Sequence, residues 1–497
     1  MLDNTVLNVA VPAILREFNT DLPSLQWVIT GYSLTFATLL IIGGRLGDMY
    51  GHRRTFIVGA TIFGLGSLLA SVSTSVSTLF LGEALIEGIG ASLMIPATLS
   101  ILQTTFQGRE RAVAFAAWGA VAGAAVAFGP VLGGFLTTNY SWRWAFRINV
   151  IIVPVIVAGA FLFMHVDRPA ARRPRIDLPG AFLIATGSFS LIFALSEGTT
   201  YGWWTPIKAL SLAGRDAWSA SHRVSVIPFV LVLAALLLGA FVAVERRKER
   251  LHQDPLFEFG QLRHLGFRYG LLTTMVLAMG QFGLLFVVPV LLESGRHLSA
   301  LRTGEWMIPM GVCIALAAPL CGRLTRRFSI TSIVRTGLAM EALGLVMVAA
   351  IVPHISFFTL LPGSVVFGIG VGLASSQLVN VILFDIEPDK VGVASGTNTT
   401  VRQVGLALGI ATFASFLNAL TIRHAVSALA TAPVASSTRA AAIGELHARG
   451  VNFTPPPGTR AHDALVLNRV IETSVTAGAR PALLFAATVV AIGTGLS

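Results

Sequence analysis

Charged residues are scarce in this chain of 497 residues. Asp, Glu, Lys and Arg make up 12% of the sequence, and 54% of it is hydrophobic. An ordinary soluble domain carries about 25% charged residues. So few charges cannot cover a water-facing surface, which excludes a soluble globular protein and a disordered one as descriptions of the whole chain. The composition therefore predicts a helical membrane protein with many spans.

Cysteine is almost absent as well. Cys313 and Cys321 lie in one apolar segment, about two helical turns apart, which is too far for a disulfide within a straight helix. A secreted disulfide scaffold is therefore excluded. The chain also lacks a phosphate-binding loop, a zinc-ligand spacing and a nucleophile elbow in a suitable context. We accordingly expect no enzyme activity, no metal and no cofactor, and any transport must draw on an ion gradient or run downhill.

The net charge of +11 invites a nucleic-acid partner, but the basic residues are dispersed among short loops between apolar runs. This distribution orients helices in a membrane, so no nucleic acid is expected. Lys and Arg concentrate in the loops that face the cytoplasm when the N-terminus lies inside. Both termini are therefore predicted to be cytoplasmic.

Apolar runs long enough to cross a bilayer recur along the chain and predict about fourteen transmembrane helices. The expected spans are about 1–15 (an incomplete first helix), 25–46, 54–73, 78–103, 111–137, 148–166, 176–196, 225–244, 267–292, 303–321, 330–352, 356–384, 392–418 and 479–497. They predict an N-terminal six-helix bundle over 1–166, a linker with two inserted helices over 167–261, and a C-terminal six-helix bundle over 262–497. A long external loop is expected at about 420–479.

The loop after the second span carries the most specific motif. It reads Gly44-Arg-Leu-Gly-Asp48-Met-Tyr-Gly51-His-Arg53-Arg54. The glycines permit close helix approach and a tight turn, Asp48 can cap the next helix or pair with an arginine, and the basic pair favours the cytoplasmic side. An ordinary basic loop is the alternative. The segment resembles the signature loop of the major facilitator superfamily, which implies that it latches the two halves and gates their movement without touching substrate.

Two further segments resemble the fourteen-span branch of that superfamily, the drug:proton antiporters. The stretch 2–12 is similar to the first-helix motif of that branch, which places Asp3 near the membrane midplane; alternatively, Asp3 caps a truncated helix. In the fifth span, Gly129-Pro130-x-x-Gly133-Gly134 resembles the antiporter motif. Its small residues permit close packing and Pro130 is expected to bend the helix, although generic glycine packing is possible.

The fourth span departs from the resemblance. Relatives carry an arginine where this chain has Ala84, so the usual coupling scheme for that helix is not carried over. Glu83 and Glu87 instead project from nearly the same helix face. Two carboxylates facing lipid would be costly, so this face is expected to line the bundle interior, where the pair can share a proton. Glu83 lies nearer the external end and is alternatively solvated.

Two more charges fall inside C-terminal spans. Glu341 lies in the eleventh span and Arg402 in the thirteenth, and they are predicted to form a buried pair, because an unpaired charge there is costly. Such a pair is either structural or part of coupling. Asp3, Glu83, Glu87, Glu341 and Arg402 are together the candidates for proton coupling.

The resemblance covers nearly the whole chain. It implies an all-α major facilitator fold and a monomeric secondary transporter in a bacterial cytoplasmic membrane. The leading prediction is export of small, largely apolar or cationic compounds, such as drugs and antibiotics, in exchange for protons by alternating access. Two alternatives stay open: a proton-coupled symporter or facilitator for a specific solute or lipid, and a non-transporting membrane sensor or assembly protein.

Overall fold

The computed structural model describes residues 10–11, 13–15, 17–20, 22–164, 177–212, 215–251, 253–325 and 327–496. Within these ranges, twelve helices are long and apolar enough to cross a membrane. A helical protein with many spans is therefore confirmed, while the number fourteen stays a prediction. Most of the expected first span, including Asp3, lies outside the described residues. The expected fifth span is a long helix that is not one of the twelve.

The first half of the chain forms five described helices: α1 (Leu22–Tyr50), α2 (His52–Ser71), α3 (Val76–Thr105), α4 (Gly108–Asn139) and α5 (Trp144–Phe163). Gly51, with φ of 95°, allows the reversal between α1 and α2, because a side chain is rarely tolerated in that conformation. Helix α3 begins at a capping box formed by Ser75 and Thr78, which satisfies N–H groups that the first turn leaves free. It is π-helical over Phe80–Glu87.

Two helices follow in the segment predicted as an insert. Helix α6 covers Leu178–Tyr201 and α7 covers Val226–Arg250, and they pack against each other. Between them lies a short antiparallel hairpin of β1 (Leu210–Leu212) and β2 (Arg215–Trp218).

The remaining helices are α8 (Leu265–Arg296), α9 (Ala300–Leu324), α10 (Ile330–Ile351), α11 (Phe357–Leu383), α12 (Pro388–Thr431), α13 (Ser436–Arg449) and α14 (Ala461–Leu496). The segment at about 420–479 was predicted as a loop but is largely helical. Helix α13 is too polar to register as an apolar run, yet its Ala442 and Leu446 are fully buried. A helix of this kind is stabilised by one apolar face, which average hydropathy does not detect.

The two halves of the chain meet where α1 packs against α12 and α4 packs against α9. A Cβ atom added to Gly44 would lie 2.1 Å from the carbonyl oxygen of Gly392, and one added to Gly396 would lie 2.5 Å from that of Leu40. The backbones of α1 and α12 are therefore in direct contact, which only small residues permit.

Candidate functional site

Asp48 joins the C-terminal end of α1 to the beginning of α12. Its Oδ1 accepts a hydrogen bond from the backbone N–H of Gly392 at 2.7 Å, and its Oδ2 accepts one from that of Val393 at 2.9 Å. The first N–H groups of a helix lack intrahelical partners and carry partial positive charge, so a carboxylate is well placed there. Asp48 thus caps a helix of the opposite half rather than the next helix along the chain. We call this contact the latch.

Other residues of the same loop hold the latch in position. Arg53 donates hydrogen bonds to the carbonyl oxygens of Ala160 at 3.1 Å and Phe161 at 2.9 Å, in the last turn of α5, where carbonyls need partners. Arg54 is exposed. His52 lies 3.7 Å from the Oδ1 of Asp48 through its Nε2. The loop therefore contacts both halves of the chain.

Glu83 and Glu87 lie in the π-helical segment of α3, and both are 0% exposed. The interpretation of Glu83 as a solvated group is therefore wrong. Ser67 of α2 donates a hydrogen bond of 2.6 Å to the Oε1 of Glu87, and the Nδ2 of Asn149 on α5 donates one of 3.2 Å to the Ser67 Oγ. Three helices thus meet at this carboxyl group. Rare π-helical segments occur often at functional sites.

The predicted pair of Glu341 and Arg402 is not formed. The Arg402 Nη2 donates instead to the Oε1 of Gln281 on α8, at 3.3 Å. Glu341 is 0% exposed, and neither of its carboxyl oxygens has a hydrogen-bond partner among the described residues. A Cβ atom added to Gly280 would lie 2.5 Å from the Glu341 Oε1. The two charged groups therefore contact consecutive residues of α8, Arg402 at Gln281 and Glu341 at Gly280, and do not pair with each other.

A cavity of about 370 Å³ lies between the two halves, a size typical of small-molecule sites. The first half contributes mainly aromatic and apolar side chains: Tyr32, Ser33, Phe36, Phe63, Ala91, Met94, Ile95, Leu99 and Trp118. The second half contributes the apolar Leu277, Leu378, Val379 and Leu406 together with most of the polar side chains, Thr274, Ser375, Asn398, Thr399, Arg402 and Gln403. Of the predicted site residues with described side chains, this cavity contains Arg402 alone.

Sequence reasoning missed most of this lining. The signal that could have found its polar part is the cluster of polar residues inside an apolar span at Asn398, Thr399, Arg402 and Gln403. Such residues in a membrane helix usually face a cavity. The aromatic wall gives no comparable signal, because Phe, Tyr and Trp also face lipid and other helices.

The predicted antiporter motif lies in α4, which stays helical through it. Gly129 and Gly133 are buried. The burial of Pro130 and Gly134 lies outside what the structure describes. Helix α4 packs against α9 and α11 of the other half, so the motif belongs to a helix at the boundary between the halves.

Comparison with known protein sequences adds three findings. A family model described as Major Facilitator Superfamily matches residues 1–410. The chain is 34% identical over 453 residues to a protein of Streptomyces coelicolor named "Probable actinorhodin transporter", covering 89% of this chain and 74% of that one. It is 33% identical over 416 residues to the puromycin resistance protein pur8 of Streptomyces alboniger, covering 83% and 78% of the two chains.

Among solved structures, the human organic anion transporter MFSD10 matches with a TM-score of 0.61. The match covers 100% of this chain and 95% of that chain at 14% identity. At this identity the likeness shows the fold alone.

Proposed function

Because this chain belongs to the major facilitator superfamily, we propose that it exports small, largely apolar compounds in exchange for protons across a bacterial cytoplasmic membrane. The family match and the relatives named for antibiotics make it a membrane transporter of the drug-efflux type and not an enzyme. The direction of transport, the coupling to protons, the membrane and the full set of fourteen spans are parts of the proposal.

The observation that carries the proposal is a cavity lined by both halves of the chain, together with a latch that joins the halves. Repeated halves that rock around a central site are the common plan of secondary transporters. With both termini inside, the latched end is the cytoplasmic one. The latched state is then the one closed toward the cytoplasm, and release of the latch admits substrate from inside.

Buried carboxyl groups support the coupling to protons. Glu87 and Glu341 are both 0% exposed, one in each half of the chain. An ionised carboxylate is costly at such depth, so a group of this kind takes up or releases a proton when its access to water changes. Each proton that enters contributes about 1.36 kcal/mol per pH unit and about 2.3 kcal/mol per 100 mV. One or two protons therefore suffice for modest export.

Inside-out vesicles that carry the full chain test the proposal. An imposed pH gradient should drive accumulation of at least one compound from a panel of ethidium, puromycin, 9-anthracenecarboxylate and its methyl ester. Addition of a transported compound should release protons. Both signals should be lost in Glu87→Gln and weakened in Glu341→Gln, and both should persist in Glu110→Gln, which changes an exposed carboxylate in the first turn of α4. Equal accumulation of a probe with and without the pH gradient would contradict coupling of transport to protons.

A further inference from the structure

We propose that Arg402 makes the central cavity a site for aromatic compounds that carry an anionic group, such as a carboxylate. The inference rests on the proposed export function and names the substrate class of the same site. It departs from the sequence-based expectation that cationic compounds are among the substrates.

The charge of the cavity is the first observation. Arg402 is a cation, and no Asp or Glu is among the described residues that line the cavity with it. The guanidinium contacts a neutral group, the Gln281 Oε1 at 3.3 Å, and within the described ranges no carboxylate lies at ion-pair distance. A cation removed from bulk water without a counter-ion is unfavourable. An anionic ligand would supply the missing charge.

The position of the acidic groups is the second observation. Glu87 and Glu341 are 0% exposed, and neither lines the cavity. Glu341 packs against Gly280 of α8, and it is not among the residues that line the cavity. Glu83 is likewise 0% exposed and outside the lining. None of the three described acidic candidates for proton coupling therefore lines the cavity with Arg402, and a bound anion does not meet their carboxyl groups there.

The hydrogen-bond donors around Arg402 are the third observation. Asn398 lies one helical turn before Arg402 on α12, so both side chains lie on the same face, and both line the cavity. The Asn398 Oδ1 accepts a hydrogen bond from the Thr274 Oγ1 at 3.0 Å, which leaves its amide Nδ2 as a donor. A guanidinium offers five N–H donors in a planar fork that matches a carboxylate. These groups can together surround an oxyanion.

The opposite wall fits an aromatic body. Trp118, Phe63, Tyr32 and Phe36 line the cavity from the first half of the chain. The rings of Tyr32 and Phe36 are stacked, with centroids 6.0 Å apart and an angle of 12° between their planes. Flat apolar molecules pack well against such surfaces. A ligand with an aromatic body and an acidic end therefore matches both walls, whereas a cation would meet the like charge of Arg402.

Binding to the purified full chain tests the inference with 9-anthracenecarboxylate and its neutral methyl ester, which are both fluorescent and differ in charge. The wild type should bind the acid about tenfold more tightly than the ester, as expected for one added charge-assisted contact. In Arg402→Gln the Kd of the acid should rise about thirtyfold, because a buried charge loses its partner, while the Kd of the ester stays within about twofold. Arg402→Lys should retain part of the preference, since it keeps the charge but not the planar fork.

The matched control is Arg423→Gln, which removes an exposed arginine from the same helix and should leave both Kd values unchanged. Equal losses for acid and ester in Arg402→Gln would overturn the inference and make Arg402 a structural residue. If Arg402→Gln does not fold, the wild type alone tests the inference. Tighter binding of the acid than of the ester would support it, and equal binding of the two would overturn it. Export of ethidium or the ester without binding of the acid would refute the inference and leave the proposed function intact. Binding of the acid without transport of any probe would instead refute the proposed function.

Discussion

Asp48 accepts a hydrogen bond from the backbone N–H of Gly392 at 2.7 Å, although the two residues are 344 positions apart in the sequence. The contact places a carboxylate at the start of a helix in the other half of the chain. Because the acceptor lies in one half and the donors lie in the other, these hydrogen bonds can form only when the two halves approach each other closely. Its formation and loss therefore report whether this end of the protein is closed.

Asp48→Asn should slow transport at least about fivefold while ligand binding and insertion stay normal. Asn keeps one acceptor oxygen but loses the charge that favours a helix N-terminus, a loss of about 1–2 kcal/mol in the closed state. Initial rates in inside-out vesicles give the measurement. Asp385→Asn, which changes an exposed carboxyl group, is the control. If Asp48→Asn transports at the wild-type rate, the loop does not gate transport and its basic residues serve only to orient the helices in the membrane.

Gly44→Ala should prevent the closed arrangement of α1 and α12. The new methyl group would lie 2.1 Å from the Gly392 carbonyl oxygen, and this backbone cannot move without separating the halves. Overpacking of this kind costs about 1–3 kcal/mol. Gly239→Ala on α7 is the control, since a Cβ there has no neighbour within 4 Å. Hydrogen exchange at the start of α12 should increase in Gly44→Ala only. Unchanged exchange would show that the closed arrangement accommodates the added methyl group and would contradict the prediction.

Glu87→Gln should abolish accumulation driven by a pH gradient, because an amide cannot release a proton. Ser67→Ala should retain transport but alter its dependence on pH, since it removes a hydrogen bond of 2.6 Å from the Glu87 carboxyl group. Glu83→Gln is expected to have a milder effect because Glu83 lies nearer the N-terminal end of α3, which the proposed topology places outside. Each protein must first be shown to reach the membrane. If a double Asp3→Asn, Glu87→Gln variant still accumulates substrate in response to the pH gradient, neither residue carries the coupled proton. Glu341 would then be the next candidate.

Lys248→Gln should destabilise the packing of α6 against α7. Its ammonium group pairs with Asp177 and lies 3.5 Å from the Glu245 Oε1, and the two carboxylates are at most 3% exposed. Loss of the partner of a buried charge costs about 3–5 kcal/mol, and the partial exposure of Lys248 lowers this to about 2 kcal/mol. The melting temperature in detergent should fall, whereas Arg247→Gln, at an exposed position, should leave it unchanged. Equal melting temperatures would contradict a stabilising role.

The same cluster predicts a pH dependence of stability. Burial raises the pKa of Asp177, but hydrogen bonds with Glu245, Lys248 and the backbone of Gly180 outweigh it and hold the pKa below its usual value. A lowered carboxyl pKa gives stabilisation that is present above the ordinary pKa of about 4 and is lost as the pH falls through the lowered pKa. Melting temperatures measured from pH 6 down to about pH 3 should fall more steeply for the wild type than for Lys248→Gln. Parallel curves would contradict this assignment.

The sequence by itself determined the class of the protein. The low charge and the long apolar runs leave a helical membrane protein as the only compatible fold class, because a spanning chain must satisfy its backbone hydrogen bonds internally. The residue types at Gly44–Arg54 predicted close packing and a capping carboxylate, and the resemblance to the superfamily signature loop implied that this segment holds the halves together. The burial of Glu87 also followed from local chemistry, because a carboxylate cannot face lipid at low cost.

The partners of these groups were decided by the tertiary structure alone. Asp48 could have capped the next helix, and Arg402 could have paired with Glu341, yet Asp48 meets Gly392 and Arg402 meets Gln281. In a membrane, apolar side chains gain little from facing another helix instead of lipid, so hydropathy does not specify which faces meet. Rotation and crossing of the helices fix these contacts, and with them the cavity that encloses Arg402. The rotation and crossing of the helices depend in turn on packing between segments that lie hundreds of residues apart in the sequence.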